Sequence, residues 1–87
     1  MNGARLLIDI EVLEFLRTLR RREQEYLLKC FREIAASPSQ FSDFVERDLS
    51  GRRVDVHVAG KFAIKFWDDF ADHHVKILDV HPADLSA

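Results

Sequence analysis

Apolar residues set two different rhythms along the chain. From Ile8 to Ala36 they recur every three or four positions, at Ile8, Val12, Phe15, Leu16 and Leu19, then at Tyr26, Leu27, Cys30, Phe31 and Ile34. This is the spacing of an amphipathic helix. Asp9 is placed to cap its start and "ASPS" at 36–39 to end it. Between the two clusters, "RRREQE" at 20–25 has no apolar residue over more than a turn. A single helix of about 27 residues would be ~40 Å long, too long for a small domain whose radius of gyration is near ~12 Å. The pattern therefore predicts a helical hairpin with its bend around Arg20–Arg22.

After a polar connection with scattered aromatics, "SQFSDFVERDLSGRR" at 39–53, the rhythm becomes strict alternation. "VDVHV" at 54–58 and "KFAIKF" at 61–66 read as half-buried antiparallel strands joined by the tight turn "AG" at 59–60. "VKILDV" at 75–80 reads as a third strand. Alternation predicts that Val54, Val56, Val58, Phe62, Ile64 and Phe66 face the helices and form the core with Leu16, Leu19, Leu27, Phe31 and Ile34. Asp55, His57, Lys61, Ala63, Lys65 and Trp67 then share the exposed face. The stretch "DDFADHH" at 68–74 falls between strands, as a hairpin tip.

With 87 residues, of which 47% are hydrophobic and seven are phenylalanine, the expectation is one packed domain over 1–87 and not a disordered chain. The net charge of −2 changes the functional picture. Residues 1–36 carry seven Lys/Arg against six Asp/Glu, and residues 37–87 carry six against nine. A general nucleic-acid binder needs a strong basic excess, so any phosphate contact here has to come from a local patch. Cys30, the single cysteine, falls in an apolar helical row and reads as a buried, inert thiol. The one apolar run near the start, Leu6–Ile8, is cut off by Asp9 and Glu11, which excludes a signal peptide or membrane span there.

Three groups of residues carry candidate chemistry. Asp68, Asp69, Asp72, His73 and His74 combine carboxylate with imidazole, ligands suited to several divalent ions. Their spacing matches no specific metal motif, and polar residues are what a hairpin tip requires, so no metal is expected. On the exposed sheet face His57 is placed to act as a general base and Lys65 to stabilise developing negative charge; a solvated face with cross-strand charge pairs fits the same residues. Arg52 and Arg53, and separately Arg17 with Arg20–Arg22, form a phosphate-contacting patch if they converge in space.

The helical segment "VLEFLRTLRRREQEYLLKCFREIAASP" at 12–38, followed by "GRRVDVHVAGKFAIKFWDDFADHHVKILDVHPAD" at 51–84, resembles the RelE/ParE toxin superfamily of type II toxin-antitoxin pairs. The resemblance implies an α+β fold, an N-terminal helical hairpin packed on a small antiparallel β-sheet, with a further short strand near Arg5–Ile8. It implies a cytoplasmic protein, with no membrane association, whose partner is a cognate antitoxin. Ribonuclease members act on mRNA at the ribosome and need no cofactor. Transferred residue by residue, that activity would use His57, Lys65 and His81 in catalysis and Arg52, Arg53 and Lys61 in RNA binding. This chain has His57 and Ala63 where active members commonly have arginine. Two other readings stay open: a non-catalytic binder of the same fold, gyrase-directed or non-toxic, and a small metal-dependent enzyme using 68–74.

Overall fold

The computed structural model describes residues 5–83. Strand β1 (Arg5–Ile8) leads into helices α1 (Ile10–Leu16) and α2 (Arg21–Ala36). A 3-10 turn at Pro38–Phe41 follows, and then strands β2 (Phe44–Arg47), β3 (Arg53–Ala59), β4 (Phe62–Asp69) and β5 (His74–Pro82). The five strands form one sheet in the order β1-β5-β4-β3-β2. Neighbours pair antiparallel except β1, which lies parallel to β5 with Ile8 against Ile77.

Asp9 caps α1 as its position suggests, its Oδ1 accepting the Glu11 N–H at 2.9 Å. The hairpin bend lies at Arg17–Arg20, slightly earlier than expected, and Arg21 and Arg22 open α2. Side chains also tie the bend: the Thr18 hydroxyl donates to Phe15 O at 2.7 Å, beside its own backbone N–H, and Gln24 Nε2 donates to Leu19 O at 3.0 Å. The longest dimension of the fold is 34 Å, so an unbroken helix of both pieces would overhang it.

Both helices cover one side of the sheet. Val12 and Leu16 of α1 and Leu27, Cys30, Phe31 and Ile34 of α2 pack on Phe62, Ile64 and Phe66 of β4 and on Val75, Ile77 and Val80 of β5. Burial pushes the Cys30 thiol up, which keeps it an unreactive core group.

Strand β3 differs from the expectation. Its turn residues are Gly60, at φ 60°, and Lys61, so Ala59 pairs with Phe62, His57 with Ile64 and Asp55 with Phe66. A two-residue turn puts odd positions of β3 on the face of even positions of β4. Asp55 and His57 thus lie on the helix side, while Val54, Val56 and Val58 lie on the other side with Ala63 and Lys65. Phe62, Ile64 and Phe66 are core as predicted; Val54 and Val56 are buried too and Val58 half-buried, but on the side away from the helices and outside that cluster. The 3-10 turn covers β3 on the helix side: the Phe41 ring meets His57 edge-on at 5.1 Å, and Ser42 donates to buried Asp55 at 2.6 Å.

Two further differences concern connections. The segment expected to be an irregular connection contains β2, an edge strand exposed at all four residues. The 68–74 tip is shorter than expected, because Asp68 and Asp69 pair with Val75 and His74 and extend both strands. Only residues 70–73 turn, with His73 at φ 55°. A bulge in β5 between the Lys65–Asp79 and Phe66–Ile77 pairs sends Leu78 to the side opposite the helices.

Candidate functional site

On the sheet side opposite the helices, β4 and β5 set Ala63 beside His81 and Lys65 beside Asp79. Val56 flanks Lys65 and Val58 flanks Ala63 from β3, and Phe44 and Glu46 follow on β2. Residues diagonal across two antiparallel strands are about 7–8 Å apart, which makes Lys65 and His81 neighbours on this face. Each has a carboxylate partner. Lys65 Nζ lies 3.1 Å from Glu46 Oε1, and His81 Nδ1 lies 2.9 Å from Asp79 Oδ2. If the His81 Nδ1 carries the proton toward Asp79, Nε2 is left as the acceptor, the arrangement a general base needs.

His57 does not join them. It lies behind the sheet, where its Nδ1 is 2.9 Å from Asp43 Oδ2, and the same oxygen accepts the Val58 N–H at 2.8 Å. The Val58 N–H, and after it the His57 ring, hold the Asp43 carboxyl below the usual carboxylate range. The expected pairing of His57 with Lys65 is thus ruled out by the register, since Lys65 is opposite Val56 and points the other way.

Nor do the candidate RNA-contacting cations converge. Lys61 is in the β3–β4 turn, 2.6 Å from Glu23 of α2. Arg52 and Arg53 are at the far end of β3, about 20 Å away at ~3.3 Å per residue. Arg52 pairs with Asp48 at 3.1 Å and lies over the Trp67 ring at 4.5 Å, while Arg53 pairs with Asp55 at 3.1 Å. Asp48, which answers Arg52, and Glu46 and Asp79, which answer Lys65 and His81, were not singled out in the sequence. Their signal was the acidic excess of residues 37–87.

In the acidic hairpin, Asp69, Asp72 and His74 offer ligand atoms within 4.8 Å of one another. The Asp69 carboxylate also accepts the Asp72 N–H at 3.2 Å, an ordinary turn contact. His73 stands apart beside Phe70.

Among the described residues, no helix is long and apolar enough to cross a membrane. No family model and no curated protein matches the sequence. The structure does have close counterparts. A chain of the RelBE2 toxin-antitoxin complex from Mycobacterium tuberculosis is similar at a TM-score of 0.79 and 18% identity, over 95% of this chain and 94% of that one. A chain of the archaeal RelE-RelB complex from Pyrococcus horikoshii is similar at 0.79 and 16% identity, over 97% and 99%. With two helices on one side of a five-stranded mixed sheet, this chain has the RelE fold.

Proposed function

We propose that the protein is the toxin-like half of a toxin-antitoxin pair, cytoplasmic, folded as one domain, and that it acts by binding its target and not by cutting RNA. Both structural counterparts come from toxin-antitoxin complexes, which supports an antitoxin partner. The observation carrying the non-cleaving reading is the charge balance of the open sheet face. Around Ala63 the two basic side chains, Lys65 and His81, are each held by a carboxylate, while Lys76, farther along the same face opposite Trp67, is in none of the ion pairs among the described residues. A face meant to gather polyphosphate and stabilise a phosphorane charge needs unpaired cations there. Induced expression with and without the adjacent open reading frame tests the pairing: growth arrest relieved by the neighbour supports it, and growth unaffected in both cases removes it.

The diagonal placement of Lys65 and His81 favours one second reading, a ribosome-dependent mRNA interferase. In it His81 is the general base oriented by Asp79, Lys65 stabilises charge, and His57 has no direct role. Arg52, Arg53 and Lys61 would then touch RNA at separate points and not as one patch. No metal enters either reading. Primer extension of mRNA from a translating extract separates the two. Wild-type cleavage that falls about 10²-fold or more in His81→Ala and Lys65→Ala establishes the second reading, and its absence leaves the first.

A further inference from the structure

Past the Asp55–Phe66 pair, β3 and β4 separate. Their ladder runs only from Ala59–Phe62 to Asp55–Phe66, although β3 starts at Arg53 and β4 continues to Asp69. In that stretch Arg53 and Val54 pair outward with β2, and Trp67, Asp68 and Asp69 pair outward with β5. The sheet forks, leaving a slot of about 380 Å³. Arg53 and Asp55 are on one wall and Trp67 and Asp68 on the other, and Pro38 and Ser42 close it from above.

The charges within the slot are unevenly matched. Asp55 is buried and already satisfied, by Ser42 at 2.6 Å and Arg53 at 3.1 Å. Arg52, at the rim, is taken by Asp48. Asp68 belongs to none of the ion pairs among the described residues. Burial, then the nearby Asp55 and Asp69, hold its carboxyl above the usual range, with Arg53 acting in the opposite sense. Once internal pairs are set aside, the slot holds one uncompensated carboxylate beside an indole that carries a guanidinium at its rim. An anion would have to break the Arg52–Asp48 and Arg53–Asp55 pairs. A bare divalent ion would find one free carboxylate where it needs several oxygens. An organic cation on an apolar stem meets both needs, the head on Asp68 and the stem along Pro38 and Trp67.

We propose that the fork between β3 and β4 is a receiving slot for a basic side chain of a partner polypeptide, with Asp68 as the counter-ion and Trp67 as the wall against its stem. The proposal is independent of whether the partner is an antitoxin. A free guanidinium or amine would present the same chemistry, and the experiment distinguishes the two sources.

Trp67 is the chain's single tryptophan, so its emission reports on the slot directly. At constant ionic strength the full chain is titrated with acetyl-Ala-Arg-Ala-amide, with its citrulline counterpart, with agmatine and with inorganic phosphate. The expected result is a saturable change in emission with the arginyl peptide, no response to the citrulline peptide or to phosphate, and weaker binding of agmatine. Asp68→Asn, which keeps shape and removes charge, should weaken the peptide about tenfold or more. Asp72→Asn, on the hairpin tip, should leave binding unchanged, and circular dichroism should find both variants folded. No saturable response in wild type, or equal response in Asp68→Asn, overturns the proposal. Agmatine binding as tightly as the peptide would overturn the polypeptide assignment in favour of a small amine, and saturation by phosphate would overturn the sign of the ligand.

Discussion

The helix side of the sheet has two halves built on opposite principles. Over β4 and β5 it is hydrocarbon: Phe66, Ile64, Val75 and Ile77 are fully buried under α1 and α2. Over β3 it is polar: Asp55 and His57 are covered by the 3-10 turn and the residues after it, of which Ser42 and Asp43 supply their partners. The covering element decides what the strand can carry. A 16-residue amphipathic helix brings a stripe of Leu, Phe and Ile, whereas a four-residue turn followed by Ser42 and Asp43 brings hydrogen bonds. A polar side chain under such a cover is tolerated because each buried group is given a partner.

The largest expected effect is in the apolar half. Phe66→Ala should destabilise by about 3–5 kcal/mol, enough to unfold much of a small domain whose total stability is on the order of 5–15 kcal/mol; chemical denaturation measures it. A loss under about 1 kcal/mol would mean that this half is loosely packed and the comparison fails. The polar half should yield less. Asp55→Ala removes the partner of Ser42 and of half-exposed Arg53, at a cost of about 2 kcal/mol. Finding Asp55→Ala as costly as Phe66→Ala would erase the distinction.

Asp43 sharpens the contrast through pH. Its carboxyl is held low in the folded state, so it contributes stability above the ordinary carboxylate value of about 4 and loses that contribution as pH falls through the lowered one. Asp43→Ala should therefore cost about 1–2 kcal/mol at neutral pH, with the gap to wild type closing in acid. A gap independent of pH would assign the effect to packing.

The smallest effect has the opposite sign. Asp68 is held high, so its ionised form weakens the fold at pH values above the unfolded one. Asp68→Asn should raise the melting temperature slightly at neutral pH, by less than ~1 kcal/mol in stability given solvent screening, and the gain should vanish near pH 3.

The helices, the three long strands and the apolar half of the core were legible because burial writes a period of 3.6 or 2 into the residues. Strand β2 was not: Phe44, Val45, Glu46 and Arg47 are all exposed at the sheet edge, so no burial pattern marks them. The facing of β3 was misread for a different reason. Three alternating valines look like a core face, yet a turn at Gly60–Lys61 instead of Ala59–Gly60 fixes the pairing as Ala59–Phe62 and sends them outward. That one step moved His57 away from Lys65 and dissolved the expected His–Lys pair. Lys65, by contrast, was correctly placed on the face opposite the helices, and His81, named only through the resemblance, lies beside it there; their carboxylate partners were not singled out. One of these, Glu46, lies on the strand that left no trace.

The parallel pairing of β1 with β5 has a consequence in time. Ile8 pairs with Ile77, so β1 has no ladder partner until nearly the whole described chain has been synthesised, and α1 and α2 must form while the strand preceding them is unattached. Contacts this distant in sequence slow folding, because the loop must close before they contribute. On the ribosome the last hairpin to emerge completes the sheet and captures the first strand, so stalled or truncated chains lacking β5 keep the edge of β4 bare and open to aggregation.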